Sequence, residues 1–401
     1  MPRGPGALVL GGDYKSLGIV RSLGRQGISV WVMCDDHVLA GLSRYCERRL
    51  VWPALSEREQ VAMLLDLARD EGLDGWTLFP DGDETAALIA RNRDALAQRY
   101  RLSILADWET LSWAYDKRLT YELAARIGVD HPHTRYPRGR SDVLAFDGTY
   151  PAILKPAIRP VLNRFTIAKA WRADDAARLA SRYEDARTLI DPSLIMVQSL
   201  VEGDGASQYS FAALCRAGTP IAYLTARRVR QWPMDFGRAS TFVETVEAPD
   251  VEEAARRVIG GLRFDGLVEI EFKRDTRDGR LKLLDINPRV WGWHTLGRRA
   301  GIDFPYLLWR MLRGEPVAET RGRAGVRWVR ALTDVPVVWR EIRAGRMSPL
   351  SYVASLRRPI EFAVLAADDP IPALLEVPAT LRLALARRTA VPGARAARGV
   401  V

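Results

Sequence analysis

Residues 266–289 read Gly-Leu-Val-Glu-Ile-Glu-Phe-Lys-Arg-Asp-Thr-Arg-Asp-Gly-Arg-Leu-Lys-Leu-Leu-Asp-Ile-Asn-Pro-Arg. In the first run Val268, Ile270 and Phe272 alternate with Glu269, Glu271 and Lys273, and a period of two puts apolar and charged residues on opposite faces of a strand. Asp275 to Gly279 is turn chemistry. In the second run Leu283, Asp285 and Asn287 share a face, and Pro288 ends the strand. Closed as a hairpin, the two runs bring Glu271, Asp285 and Asn287 to one point. Two carboxylates and an amide oxygen make a hard, all-oxygen set suited to Mg²⁺. Arg289, two residues beyond Asn287, reaches the same place and suits charge on a transferring phosphoryl group. The bland alternative is an edge ribbon with a solvated charged face. Against it stands the acid and amide inside Leu-Leu-Asp-Ile-Asn, which need partners or a metal if buried.

The 401 residues suffice for two or three domains with a large core, and 48% apolar against 27% charged residues is a globular balance. No apolar run is long enough to span a bilayer, and the first residues lack the apolar region of a signal peptide. Cys34, Cys46 and Cys215 are scattered without a Cys-x-x-Cys, so neither a disulfide framework nor a zinc site is expected, and a cytoplasmic location fits. Net charge is +10, and residues 316–401 hold 14 Arg, no Lys and 7 acids. That basic tail reads either as a solvated helical face or as a peripheral contact with a membrane or protein; no nucleic acid is expected. Only six of the 59 basic residues are lysine. Where Arg serves almost everywhere, a retained Lys marks a need for a compact ammonium, as phosphate sites have. This directs attention to Lys117 and Lys155.

In chain order, Ala7–Leu10, a Gly-rich turn at 11–18, a helix through about Arg25 and a strand at 28–33 form a β-loop-α-β unit. Its glycines do not spell G-x-G-x-x-G, which argues against a dinucleotide-dependent oxidoreductase. Asp81 and Asp83 follow a strand at 76–79, either as helix caps or as ligand contacts at a strand's carboxyl end. One helix is predicted over 111–127, containing Asp116-Lys117. A buried-type strand over 152–156 ends in Lys155. A loop and returning strand are expected over 158–169, a helix over 173–183 and a strong strand over 194–198. Helices are predicted over 251–262, 291–300 and 304–312, with short amphipathic pieces beyond. His294 reads as a packed helix residue.

This ordered set is Asp-Lys at 116–117, Pro-Ala-Ile-Leu-Lys-Pro at 151–156, Val-Gln-Ser-Leu-Val-Glu-Gly at 197–203 and Asp-Ile-Asn-Pro-Arg at 285–289. It resembles the ATP-grasp superfamily over roughly residues 7 to 312. More narrowly it is similar to the carbamoyl-phosphate-synthase-like branch that includes D-aspartate ligase-type amide-forming enzymes. Ser43-Arg44-Tyr45 fits the domain that precedes the grasp in that branch.

The resemblance implies an α/β fold: an open-sheet domain over 1–110, two α+β grasp subdomains over 111–190 and 191–315, and a basic helical tail over 316–401. It implies ATP and Mg²⁺ as cofactors, with Mn²⁺ as an alternative ion. Lys117 and Lys155 match the phosphate-holding lysines. Gln198, Ser199, Leu200 and Val201 match the hinge whose backbone pairs with the adenine edge, and Glu202, Asp204 or Gln208 would take the ribose hydroxyls. Glu271, Asp285 and Asn287 match the metal ligands, with Arg289 as the catalytic cation beside the γ-phosphate. Asp285 stands where most members carry Glu. The flap after the second lysine, usually Gly-rich, has no glycine here, so either Arg159, Arg164 or Lys169 would supply its phosphate contacts or the flap closes differently.

The implied activity is ATP-dependent ligation of a carboxylate to an amine through an acyl phosphate. The alternative is a non-catalytic ATP-binding regulator or scaffold with a degenerate flap. Arg228, Arg230 and Asp83 are the expected substrate contacts, since Arg holds a carboxylate bidentately and an amino-acid-like acid would suit it. The expected partners are small-molecule carboxylate and amine substrates, and a homodimer is allowed.

Overall fold

Apolar runs with no alternation, such as Ala7–Leu10 and Val30–Met33, belong to strands covered on both faces. A computed structural model describes residues 4–158, 163–232, 239–357 and 359–390, with side chains as far as residue 383. In it these runs form a parallel sheet of β1 (Gly6–Leu10), β2 (Ser29–Cys34), β3 (Arg48–Val51), β4 (Thr77–Pro80) and β5 (Arg101–Leu102), ordered β3-β2-β1-β4-β5. Leu8 and Leu10 enter one core cluster, and Ala7 and Val9 another. The first turn is tight: a Cβ at Gly12 would lie 1.6 Å from the His37 carbonyl oxygen, so only glycine fits. Asp13 then caps the helix Tyr14–Gly24 by accepting from the Lys15 and Ser16 amides.

A second sheet holds β6 (Thr134–Arg135), β7 (Ala152–Pro156), β8 (Trp171–Ala173) and β9 (Ile195–Ser199), ordered β6-β9-β7-β8. The helix Ala176–Arg187 covers it with Leu179, Ala180 and Tyr183. Two expectations change here. The helix expected over 111–127 is two, Trp108–Tyr115 and Lys117–Arg126. Asp116 breaks it in an extended conformation and its carboxylate accepts from the Arg118 amide at 2.9 Å. Local side-chain bonding of this kind competes with helix continuation, and it leaves Lys117 at a helix start. The flap is also no simple loop and strand. Asn163 caps a short helix, Arg164–Ala168, and Lys169 follows at φ 65° before β8. Arg159 lies outside the described residues.

The third and largest sheet holds eight strands. They are β10 (Gln208–Arg216), β11 (Thr219–Trp232), β12 (Ala239–Thr245), β13 (Gly266–Arg274), β14 (Leu281–Asn287), β15 (Thr320–Arg321), β16 (Arg327–Val329) and β17 (Ile360–Phe362). The order is β14-β13-β10-β11-β12-β16-β17, with β15 beside β11. Residues 291–295 are turn and not helix, and the helices start at Leu296 and Phe304.

The tail is therefore not a helical appendage. β16 pairs antiparallel with β12, and β17 pairs parallel with β16, so residues beyond 316 extend the grasp sheet. They also clamp the first domain. Asp369, fully buried, accepts from Arg21 Nε at 2.9 Å, Ser43 Oγ at 2.6 Å and the Arg44 amide at 2.9 Å. Asp368 takes Arg25 and the Tyr45 hydroxyl. No helix among the described residues is long and apolar enough to cross a membrane.

Candidate active site

The carboxyl ends of β1, β2 and β4 face the second and third sheets across a cleft of about 660 Å³. Open α/β sheets place ligands at such strand ends. β13 and β14 form the expected hairpin, with Glu271 opposite Asp285 and Glu269 opposite Asn287. One detail differs from a regular ladder. Phe272 pairs with Leu283, so Leu284 is an extra residue and the strand bulges. The bulge turns Leu283 into the core beside Phe272 and away from the face of Asp285, against the alternation expected for it. It also leaves Leu284 and Asp285 both on the cleft wall.

The charged residues of the hairpin are held by one another and by groups distant in sequence. Lys117 Nζ donates to Asp285 Oδ1 at 2.7 Å. Burial pushes the Asp285 pKa up, but the Lys117 ammonium outweighs it and holds the carboxyl below its ordinary value. Glu271 accepts from Gln208 Nε2 at 2.8 Å and pairs with Arg228 at 3.1 Å. Asn287 Nδ2 lies 3.2 Å from both Glu269 and Glu271, and its Oδ1 accepts from Arg289 at 3.2 Å. Arg289 also donates to Asp83 at 2.7 Å. Lys155 lies across the cleft, with Nζ 3.0 Å from the Tyr121 hydroxyl.

Of the other expected residues, Gln198, Leu200 and Val201 line the cleft. The Ser199 and Leu200 amides are taken by the carbonyls of His133 and Pro151, and Ser199 Oγ accepts from the Thr149 amide. Glu202, Asp204 and Ser199 do not line the cleft; Asp204 caps the short turn Gly205–Ser207. Arg230 is the clearest departure. It is buried against Asp334, with both nitrogen–oxygen distances 2.8 Å, and stacks over Phe242. A bulge between residues 228 and 230 turns it to the tail side, while Arg228 faces the cleft.

Sequence reading passed over several cleft groups. Lys15 donates to the Asp81 carbonyl at 2.5 Å, and Lys273 to the Val201 carbonyl at 2.9 Å. With Lys117, Lys155 and Lys169, five of the six lysines line this one cleft. The signal was in the composition: lysine is scarce, and where it occurs it gathers. Glu269 was also missed. It is buried and accepts from Trp293 Nε1 at 2.9 Å, and burial raises its pKa to about 8. His294 is packed, as expected, with Nε2 3.0 Å from the Lys15 carbonyl.

A family model described as ATP-grasp in the biosynthetic pathway with Ter operon matches residues 195–334, the segment from β9 through β14 and beyond to β16. Over that segment the chain is similar to the ATP-grasp family. Solved structures share the fold across most of the chain at low identity. L-amino acid ligase from Bacillus licheniformis is 15% identical with a TM-score of 0.60, covering 78% of this chain and 75% of that one. The biotin carboxylase domain of Hydrogenobacter thermophilus 2-oxoglutarate carboxylase, solved with MgADP, ADP and bicarbonate, is 14% identical with a TM-score of 0.63, covering 81% and 74%. An ADP complex of N5-carboxyaminoimidazole ribonucleotide synthetase is 12% identical with a TM-score of 0.60, covering 80% of both chains. No curated protein matches the chain by sequence.

The donor set expected for a metal is two carboxylates and an amide, Glu271, Asp285 and Asn287. Among the described residues no cluster of three or more His, Cys, Asp and Glu side chains has metal-holding geometry. Glu271 and Asp285 are instead neutralised by Arg228 and Lys117. Glu271 and Asp285 are cross-strand partners, and a hard cation held by them would take over the neutralisation that Arg228 and Lys117 supply.

Proposed function

We propose that the protein is an ATP-dependent ligase that joins a carboxylate to an amine through an acyl phosphate. The observation that carries this reading is the convergence of five lysines with Glu271, Asp285, Asn287 and Arg289 on one cleft. Compact ammonium groups suit a triphosphate, and the hard oxygen set suits the Mg²⁺ that accompanies it. Lys117, Lys155 and Lys169 would take phosphate oxygens, and Glu271, Asp285 and Asn287 would hold Mg²⁺, which when bound supplies charge neutralisation on the phosphates.

In the first step a carboxylate oxygen of the acid attacks the γ-phosphorus and ADP leaves. The amine then attacks the carbonyl carbon of the acyl phosphate, loses a proton and expels phosphate. Arg289 stabilises charge on the transferring group. Arg228 is the cation for the acid, replacing Arg230. The first domain supplies Asp13, Asp35 and Asp81 to the opposite wall, which suits the ammonium form of an amine. Positioning and charge stabilisation suffice, so no nucleophilic Ser or Cys is required. Free cysteines at 34, 46 and 215 fit a cytosolic setting.

The test is ADP release from the protein with Mg²⁺-ATP across amino acids supplied singly and in pairs, with Asp285→Asn alongside. Release that depends on a particular acid and is lost in the variant supports the ligase. ATP binding without release under every pairing favours the non-catalytic regulator.

A further inference from the structure

The helix Ile371–Ala390 is docked the wrong way round for an ordinary surface helix. At 3.6 residues per turn, Pro372, Ala373, Glu376 and Ala379 share one side. That side meets the body: Pro372 is buried, Ala373 packs on the second core cluster, and Glu376 lies 3.5 Å from Arg330. The other side carries Ile371, Leu374, Leu375, Val377, Pro378 and Leu381, all exposed, over about half the circumference. Leu374 is 74% and Leu381 59% solvent-accessible. A continuous apolar stripe left in water marks an interaction surface.

Charge identifies the occupant. Residues 371–401 hold five Arg, one Glu and neither Lys nor Asp, a net of +4. The lone acid, Glu376, faces the body, while Arg382 is exposed. Elsewhere in the tail the helix Ala331–Arg343 exposes Trp339, at 61%, with Arg340 and Arg343. Two such cationic surfaces would repel each other, which disfavours a second copy of this chain. An apolar leucine face with an exposed arginine and no acid is the composition of a helix lying in the interface of an anionic bilayer. We propose that the exposed face of helix Ile371–Ala390 seats the protein on anionic phospholipid surfaces, by shallow insertion of the leucines and by arginine contacts with the headgroups.

The test uses the full chain, because truncation at residue 316 would remove three sheet strands and the Asp369 clamp. Flotation with vesicles of phosphatidylcholine alone, or mixed with phosphatidylglycerol, reads binding. Expected is retention on the anionic vesicles only, falling as salt rises, and a loss of about tenfold in the doubly substituted Leu374→Asp, Leu381→Asp chain. Val51→Asp, at an exposed apolar residue of the first domain, should bind as the parent does. Unchanged thermal unfolding of the double variant separates lost docking from misfolding. Equal retention on neutral vesicles overturns the proposal. So does absence of vesicle binding together with self-association in solution that the double variant abolishes.

Discussion

Lys117 Nζ lies 2.7 Å from Asp285 Oδ1, although 168 residues separate them in the chain. The contact joins the first turn of a helix to the β13–β14 hairpin, and each partner is more than half buried. In the proposed ligase the lysine serves phosphate and the aspartate serves the cation, so the pair holds the site together when the nucleotide is absent.

Lys117→Ala should therefore cost turnover. Loss of a preorganised cation at a phosphoryl-transfer site lowers kcat by about 10²–10³-fold. ADP release with saturating Mg²⁺-ATP checks it, and a decrease of less than tenfold would remove Lys117 from the reaction. Asp285→Asn should lower turnover too, and raise the Mg²⁺ concentration needed for half-maximal rate.

Arg228 and Arg230 lie two residues apart and should fail in different ways. Arg228 faces the cleft beside Glu271, so Arg228→Ala should raise KM for the acid about tenfold or more while ATP binding holds. Arg230→Ala leaves Asp334 buried without its partner, and breaking such a pair destabilises by about 3–5 kcal/mol. Urea unfolding reads the second and initial rates the first. An Arg230 variant of parent stability with raised KM would reverse the assignment.

This contrast marks what was legible in the sequence. The hairpin, its turn and the convergence of Glu271, Asp285 and Asn287 followed from period-two alternation, because strand pairing acts locally. The bulge at Leu284 and the outward turn of Arg230 did not, since one extra residue reverses a face and nothing in composition marks where it falls. The break at Asp116 was readable in hindsight, for Asp is a common helix cap. The tail was misread for another reason. Its strands are two or three residues long and gain their stability from pairing, β15 with β11, β16 with β12 and β17 with β16, tertiary contacts that local periodicity cannot register.

Asp369 gives the tail a stability test of its own. It is buried and accepts from Arg21, Ser43 and the Arg44 amide at once. Asp369→Ala strips three donors and leaves the Arg21 guanidinium, itself buried, without its carboxylate. Breaking a buried pair in this way costs on the order of 3 kcal/mol. The expected result is a lower urea midpoint with faster proteolysis within residues 316–390. A variant that unfolds as the parent does would show that the strands alone hold the tail.

His294 links stability to pH. Burial lowers its pKa to about 4, from an ordinary 6.5, and its Nε2 lies 3.0 Å from the Lys15 carbonyl, which a neutral ring satisfies with its proton on that nitrogen. The sign follows from linkage. Above pH 6.5 the ring is neutral folded or unfolded, and its contribution is complete. Between 6.5 and 4 the unfolded chain takes up a proton that the folded chain refuses, so stability falls as pH falls. A shift of this size corresponds to on the order of 3 kcal/mol across that window. Urea unfolding at steps from pH 7 to pH 4 should show a steeper decline for the parent than for His294→Gln, whose amide can still donate to Lys15. The carboxylates common to both chains titrate in both curves, so the difference between them isolates the imidazole. Parallel curves would mean that residue 294 takes up its proton without opening the fold.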